Sequence, residues 1–474
     1  MLRDEFIFQI TQTLRVAPTE EQRLAMEVFV DFLLSGKGRE VMLLRGSAGT
    51  GKTTLGSAMV RSMVRMAQRV VLLAPTGRSA KVFSLNSGLS ASTIHRQIYL
   101  QKEVGALYAQ FSIAPNKHSD TLFFVDEASM ISAGNGENRS VLDDLIEYVY
   151  SGRNCRLVLI GDAAQLPPVG EEQSPALQTE VLQGYGLTVF SATLNEVLRQ
   201  SEESGILFNA TVIRRIIDFG APTELPKIRL KGFADICCVP GEELIEQLSS
   251  SYSEVGMDET MVITRSNKRA NLFNQGIRNT ILGREEELTR GDWLMIVKNK
   301  YLQSTATGDD LEGETFIANG DRAVVQRVRN IHQMHGFRFA DVLLEFPDYD
   351  NLELQTTVIL ESLTSEAPQL TAEQTEALYN SILEDYADIT SKREKHKAIR
   401  NDMYFNAMQV KYAYAVTCHK AQGGQWAHIY LDQGYMAMDM LTTDYIHWLY
   451  TAFTRATEKL FLVNWPDGQR SEDE

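Results

Sequence analysis

Nine consecutive residues carry the strongest chemical signal in this sequence: Gly46-Ser47-Ala48-Gly49-Thr50-Gly51-Lys52-Thr53-Thr54. The apolar run Val41-Met42-Leu43-Leu44 precedes them, and Leu55, Met59, Val60 and Met63 follow at helical spacing. Strand, glycine-rich turn and helix in that order turn GxxxxGK[ST] from a pattern into a phosphate site. Gly46, Gly49 and Gly51 let the backbone curl until successive N–H groups face phosphate oxygens, with the helix N-terminus adding its dipole. The whole run, Thr50 and Thr54 included, is expected to bind the phosphates. Lys52 is expected to reach the β- and γ-phosphates and the Thr53 hydroxyl to hold Mg²⁺. The ligand implied is a nucleoside triphosphate.

A second group of reactive residues closes the apolar run Thr121-Leu122-Phe123-Phe124-Val125, which ends in Asp126-Glu127. Neighbours on a strand point to opposite sides, so the two acids can have separate duties. Asp126 is expected in the Mg²⁺ shell, and Glu127 beside the water that attacks the γ-phosphate. Gln165 follows another buried run, Arg156 to Asp162, and is held by Pro167 and Pro168 where it can sense a γ-phosphate. Upstream, Thr19 and Gln22 have the spacing of a capping box. Gln22 either only caps its helix or also presents its amide to the adenine edge. Arg199 taken alone is a surface cation.

These residues need strands whose carboxyl ends gather on one edge, as in an open α/β sheet. Arg69 to Ala74 is a further buried strand and runs into Pro75-Thr76-Gly77-Arg78, a hydroxyl and a cation. Ser92-Thr93-Ile94-His95-Arg96 adds a small polar cluster, after which the stretch with Tyr99, Tyr108 and Phe111 reads as a small insertion. A second α/β unit starts near Ser201, with a strand at Thr260 to Arg265 and a helix from Ser266 to Arg278. From about Glu287 the pattern changes to short β segments separated by turns, as in a small barrel. Thr371 opens a charged helical segment that runs to about Arg400 and ends in a basic patch. The α/β pattern then resumes with Tyr412 to Val416, a strand at His428 to Leu431, a helix at Tyr445 to Phe453 and a closing strand at Leu460 to Val463.

With 474 residues, 44% of them hydrophobic, the chain can build several cores and exceeds one domain of usual size. No apolar run approaches the roughly 20 residues of a membrane span, and the first residues lack a signal-peptide core. Cys155, Cys237, Cys238 and Cys418 show neither disulfide nor zinc spacing, which suits a reducing, cytoplasmic setting. The net charge of −16 argues mildly against nucleic acid as a partner, although a narrow basic channel can sit on an acidic molecule.

Taken in order, the Gln22 segment, GSAGTGKTT, LLAPTGRSAK, STIH, FFVDEASM, GDAAQLPPVG, LNEVLRQ, VITRSN, GDWLMIVKN with ANGDRAVV, AVTCHKAQGGQW and YTAFTRA resemble the motifs of a superfamily 1B helicase of the RecD/Dda-like group. The resemblance implies an α/β fold of two RecA-like P-loop motor domains with parallel sheets and ATP in the cleft between them. It places the first motor at 1–200, with a small wedge-bearing insertion at about 97–120. The second motor takes 201–286 and 403–474. An SH3-like β-barrel with a helical insertion at about 371–400 occupies 287–402.

The resemblance also implies site roles. Gln22 touches adenine, and Arg199 and Arg455 are arginine fingers on the γ-phosphate. Pro75, Thr76, Arg78, His95, Thr264, Asn267, Thr417, His419, Lys420 and Gln422 line the single-strand track. Phe111 is a wedge candidate, against the alternative that it only packs the insertion onto the motor. The activity implied is that of a monomeric motor, fuelled by ATP with Mg²⁺, that moves 5′ to 3′ on single-stranded DNA and opens duplex junctions. Alternatives are an RNA track, or a nucleotide-dependent switch or loader that does not unwind. Two arginine-finger candidates in one chain favour the motor. The sequence departs from the family pattern at Ala421, Gly424 and Gln425, where Ser, Ser and Glu are usual, which bears on the DNA contacts of that motif.

Overall fold

Strands that are apolar along their length need cover on both faces. The chain builds two such sheets and joins them through a barrel. A computed structural model describes residues 2–14, 16–36, 38–101, 111–134, 140–197, 203–220, 222–302 and 315–471. The first sheet has six parallel strands in the order Ala91–Thr93, Arg69–Ala74, Thr121–Val125, Arg156–Gly161, Glu40–Gly46 and Thr188–Leu194. Alternation divides its side chains between two cores. Met42, Leu44, Phe124, Val158 and Ile160 pack with Phe29 and Met59 on one face, and Val41, Leu43, Phe123 and Leu159 pack with Leu145 and Val149 on the other.

The second parallel sheet runs Ala415–Thr417, Thr260–Thr264, Trp426–Asp432, Ala456–Val463 and Ile236–Val239. A closed five-stranded barrel is formed by Trp293–Ile296, Arg322–Met334, Phe337–Phe346, Leu352–Ile359 and Met408–Tyr412. Two RecA-like sheets plus a barrel is the architecture expected from the motif series. Sheet and barrel share one core, in which Val262, Tyr430 and Phe461 meet Leu294, Val325 and Leu344.

Three details differ from the sequence expectation. The single strand expected at Tyr412 to Val416 is two, Met408–Tyr412 in the barrel and Ala415–Thr417 in the second sheet. Asn274 explains the break: its amide donates to the carbonyls of Tyr412 and Ala415 and accepts from the N–H groups of Tyr414 and Ala415, replacing ladder partners where the chain changes sheets. The barrel is therefore closed by a strand that lies past residue 402. The helical segment is also two helices, Ala372–Asp385 and Lys392–Asn401, seated on the barrel through Leu378, Ile382 and Ile399 against Phe337, Phe339 and Ile359. In the small insertion, Tyr99–Gln101 pairs with Phe111–Ile113. Tyr108 and the side chain of Phe111 lie outside the described residues, as does Arg199.

Asp292 anchors the barrel to the second motor. Its carboxylate, fully buried, accepts from Arg278 at 2.9 and 3.0 Å, Arg284 at 2.8 Å, the Tyr414 hydroxyl at 2.9 Å and the Thr289 amide at 2.8 Å. Burial alone raises its pKa, but the hydrogen bonds from Arg278 and Thr289 outweigh burial and hold it below the ordinary value. Asp292→Ala leaves the buried Arg278 guanidinium unpaired, a loss of about 3–5 kcal/mol. Its urea unfolding midpoint should fall clearly below that of the parent, and an equal midpoint would contradict the anchoring role.

Candidate nucleotide cleft and strand groove

Because the first sheet is parallel, the turns after Gly46, Val125 and Gly161 emerge side by side, with Arg45 beside Gly161 and Val125 beside Leu159 in register. The loop from Gly46 to Thr54 has Gly49 and Gly51 at φ of 78° and 79°, a conformation that side chains resist. A Cβ on Gly46 would stand 2.9 Å from the Lys52 side chain. Lys52 opens the helix Lys52–Arg65. Its Nζ donates to the Ser47 carbonyl at 2.8 Å and lies 3.7 Å from Asp162. Gln22 completes the expected capping box with Thr19, and its Nε2 also donates to the Thr50 carbonyl at 3.1 Å, tying helix Glu20–Ser35 to the loop. The capping reading of Gln22 is thus observed directly.

Asp126 and Glu127 stand at the next strand end. Asp126 is buried and accepts from the Glu127 amide at 2.9 Å. Burial, and then the charge of Glu127, push its carboxyl up to about 7, while Lys52 opposes them. Thr53, half-buried in the first helical turn, and Asp126 are hard oxygen donors of the kind that share magnesium with a nucleotide's phosphates. Gln165 is buried in the turn after Asp162 with its Oε1 unpartnered.

The opposite wall is the helix Thr443–Phe453 of the second motor. The Tyr450 hydroxyl accepts from the Ala48 amide at 2.9 Å and donates to Asp162 at 2.7 Å. Thr451 Oγ1 accepts from the Leu166 amide at 2.7 Å, and His447 Nδ1 donates to the Ala164 carbonyl at 2.8 Å. Arg455 is 2% exposed and sits 3.9 Å from Glu127, held by the carbonyls of Thr451 and Gly424. Arg214, on helix Gly205–Phe219, donates to Ser47 Oγ at 2.7 Å. Tyr450, Thr451, His447 and Arg214 were not singled out in the sequence, because nothing local marks a residue that acts across a cleft. A tyrosine five residues before Arg455, on the helix that leads into it, was the available signal.

A groove of about 300 Å³ opens where both motors and the barrel meet. Thr76 and Arg78 of the first motor, and His419, Lys420 and Gln422 of the second, all line it. Lys420 also hydrogen-bonds Asn319 of the barrel, and burial pushes its ammonium down to about 8. Other residues of the expected track lie elsewhere. Thr264 is fully buried, its hydroxyl donating to the carbonyls of Ser266 and Val416. Asn267 donates to the Glu366 carbonyl. The His95 ring lies 5.4 Å from that of Tyr99, tilted by 47°, and burial pushes its imidazole down to about 4, so it is neutral near pH 7. Pro75 and Thr417 are half-buried outside the groove lining. Gln422, although at the groove, is buried and donates to the Leu166 carbonyl at 2.6 Å, a tie between the motors where a strand contact was expected. Thr76 caps helix Gly77–Ser87 through its hydroxyl.

Residues 19–213 match the model of an AAA domain, and residues 412–463 match that of a UvrD-like helicase C-terminal domain. Protein R530 of Acanthamoeba polyphaga mimivirus is 21% identical over 93% of this chain and 98% of its own length. The ATP-dependent RecD2 DNA helicase of Deinococcus radiodurans is 33% identical over 28% of this chain, and the ATP-dependent DNA helicase dda of Enterobacteria phage T4 is 28% identical over 33%. The matched part spans 17% of the RecD2 protein and 34% of dda. Among solved structures, a Bacteroides Pif1 helicase in complex with ADP-AlF3 and ssDNA is similar with a TM-score of 0.47 and 16% identity, over 97% of this chain and 95% of that one.

P-loop amides are the groups that face a bound phosphate, and the Tyr450 hydroxyl takes that of Ala48. Tyr450→Phe frees that amide, and a single such hydrogen bond is worth about 1 kcal/mol. Affinity for a fluorescent ADP analogue should rise about fivefold, whereas weaker binding would show that the hydroxyl supports the loop and does not compete for it.

Proposed function

From the premise that this chain belongs to helicase superfamily 1B, of the RecD/Dda type, we propose that it is an ATP-driven motor that moves 5′ to 3′ on single-stranded DNA and unwinds duplex. One observation carries this: Lys52, Asp126 and Glu127 of one motor converge on the cleft that Arg455 enters from the other. A simple switch has no need of an arginine supplied from a second motor domain within the same chain.

In the proposed cycle the P-loop amides and Lys52 hold the triphosphate, and the phosphate displaces Tyr450 from Ala48. Thr53 and Asp126 would hold magnesium, which would supply positive charge against the phosphate oxygens. Glu127 orients and polarises the attacking water. Arg455 moves from Glu127 toward the γ-phosphate, Arg199 acts as the second finger, and Gln165 senses whether that phosphate is present. Gln22 contacts adenine with its remaining amide hydrogen. Loop 162–166 changes its bonds to Tyr450, Thr451, His447 and Gln422 as the cleft opens and closes, so the groove beside Gln422 moves with it. Phe111 is retained as the wedge candidate. The division into a first motor at 1–200, a second at 201–286 and 403–474 and an insert at 287–402 is part of the same proposal, with Met408–Tyr412 shared between insert and motor.

The test is strand displacement on DNA and RNA duplexes carrying a 5′ tail, a 3′ tail or none. Unwinding confined to 5′-tailed DNA is expected. Turnover without displacement on any substrate would favour the switch. Glu127→Gln should bind ATP near normally and hydrolyse it slowly, while Lys52→Ala should lose binding as well; equal loss of affinity in both would undo the assigned roles.

A further inference from the structure

The groove holds a group of donors that the roles above leave unexplained. Arg322 opens the barrel strand Arg322–Met334 and is 3% exposed. Its guanidinium lies 4.3 Å from the Trp293 ring centre and 5.9 Å from that of Trp426, and donates through Nη1 to the Asp258 carbonyl at 3.2 Å. Its Nε and Nη2 are buried without a partner. Arg78, from the first motor, lies 4.9 Å from the Trp426 ring centre and bonds the Gln425 carbonyl at 2.5 Å and Glu259 at 3.3 Å. Its Nε is likewise unpartnered, as is the indole N–H of Trp426. Arg78, Arg322 and Trp426 all line the groove.

We propose that Arg322 and Trp426, together with Arg78, form a binding site for one backbone phosphate of the single strand, at the point where the barrel meets both motors. The inference rests on the groove being the track, as proposed above. Buried donors without acceptors are rare in native proteins and call for an explanation; three such residues around one groove point to a shared ligand. The acceptor must be anionic, since it faces two guanidinium groups, and must offer more than one oxygen. A phosphodiester meets both requirements and suits the planar fork of arginine. Burial, and then the charge of Arg78, push Arg322 down to about 10 even though the charges of Asp348, Asp258 and Glu259 oppose them, and an anion between the two guanidinium groups relieves that strain. Nearby carboxylates do not fill the role. Glu259 pairs with Arg78 and Asp348 with Lys81, and neither they nor Asp258 lie within ion-pair distance of Arg322.

One of the chain's departures from the family motif, Gly424, belongs to the same feature. A Cβ on Gly424 would stand 2.3 Å from the Trp426 ring, so only glycine lets the ring lie there. Gln425 supplies the carbonyl that fixes Arg78. The glycine at 424 thus accommodates the indole that faces the groove, while the bond from Arg78 goes to the backbone of residue 425 and does not depend on its side chain.

The experiment measures binding of a fluorescein-labelled oligothymidylate over a salt series, with thermal unfolding midpoints checking each variant. Arg322→Gln should weaken binding about tenfold at low salt and flatten the dependence of log K on log salt by about 0.7, the share of one phosphate on a single strand. Trp426→Phe keeps the aromatic surface and removes one neutral donor, so it should weaken binding several-fold with the slope unchanged. If Arg322→Gln does not fold, Arg78→Gln carries the slope measurement. A parent-like slope in a folded arginine variant overturns the phosphate site while leaving the track intact. A parent that binds no oligothymidylate at any salt overturns the track itself, and the phosphate site with it.

Discussion

The contacts of helix Thr443–Phe453 with the first motor are the constraint on which the rest depends. Two parallel sheets with separate cores could sit in many relative positions, and each would be equally stable by itself. What selects one is a set of hydrogen bonds from Tyr450, Thr451 and His447 to the P-loop and the turn after Asp162. Ala164 and Leu166 complete the tie by burying in the core of the opposite motor. Those bonds are made to backbone groups and to a carboxylate beside Lys52, so in the proposed cycle nucleotide and interface compete for the same loop. A phosphate that claims the Ala48 amide must alter the interface, and in the proposed cycle this is how occupancy becomes movement.

The groove lies at the far end of the same turn. Gln422 reaches Leu166 from the groove side while Thr451 reaches it from the cleft side. One residue of the first motor is therefore held by both. The net charge of −16 is not spread evenly with respect to this feature: Arg78, Arg322, His419 and Lys420 gather around about 300 Å³, with Asp348 as the one carboxylate among the described residues of that lining. Among the described residues no helix is long and apolar enough to cross a membrane. In the proposed function, an acidic exterior with a local, mostly basic lining would focus a polyanion on one path.

Chemistry that depends on neighbours in sequence was legible beforehand. The P-loop, the Asp126-Glu127 pair and the Thr19–Gln22 cap each need only a few adjacent residues on one element, and the structure places them on the elements expected. Edge strands such as Ile236–Val239 and Thr188–Leu194 were not anticipated, since short, partly exposed strands carry a weak apolar signal. The break at Asn274 could not be foreseen, because the residue that ends the strand comes from a distant helix. The groove was legible in part. Thr76, Arg78, His419 and Lys420 line it, whereas Thr264 and Asn267 follow family spacing but have their side chains engaged elsewhere. Arg322 carried a signal that was passed over: a cation beside the apolar run Ala323-Val324-Val325 is out of place on a barrel strand unless it has a partner.

The central claim is that the second motor completes the nucleotide site of the first, and Arg455 tests it most directly. The measurement is single-strand-stimulated ATP hydrolysis by Arg455→Ala, with nucleotide affinity followed in parallel. The account predicts affinity within a few-fold of the parent and a rate lowered by roughly 10³, the scale associated with an arginine that stabilises the transferring phosphoryl group. Near-normal turnover would contradict it, and would leave Arg455 as a buried partner of Glu127 and nothing more.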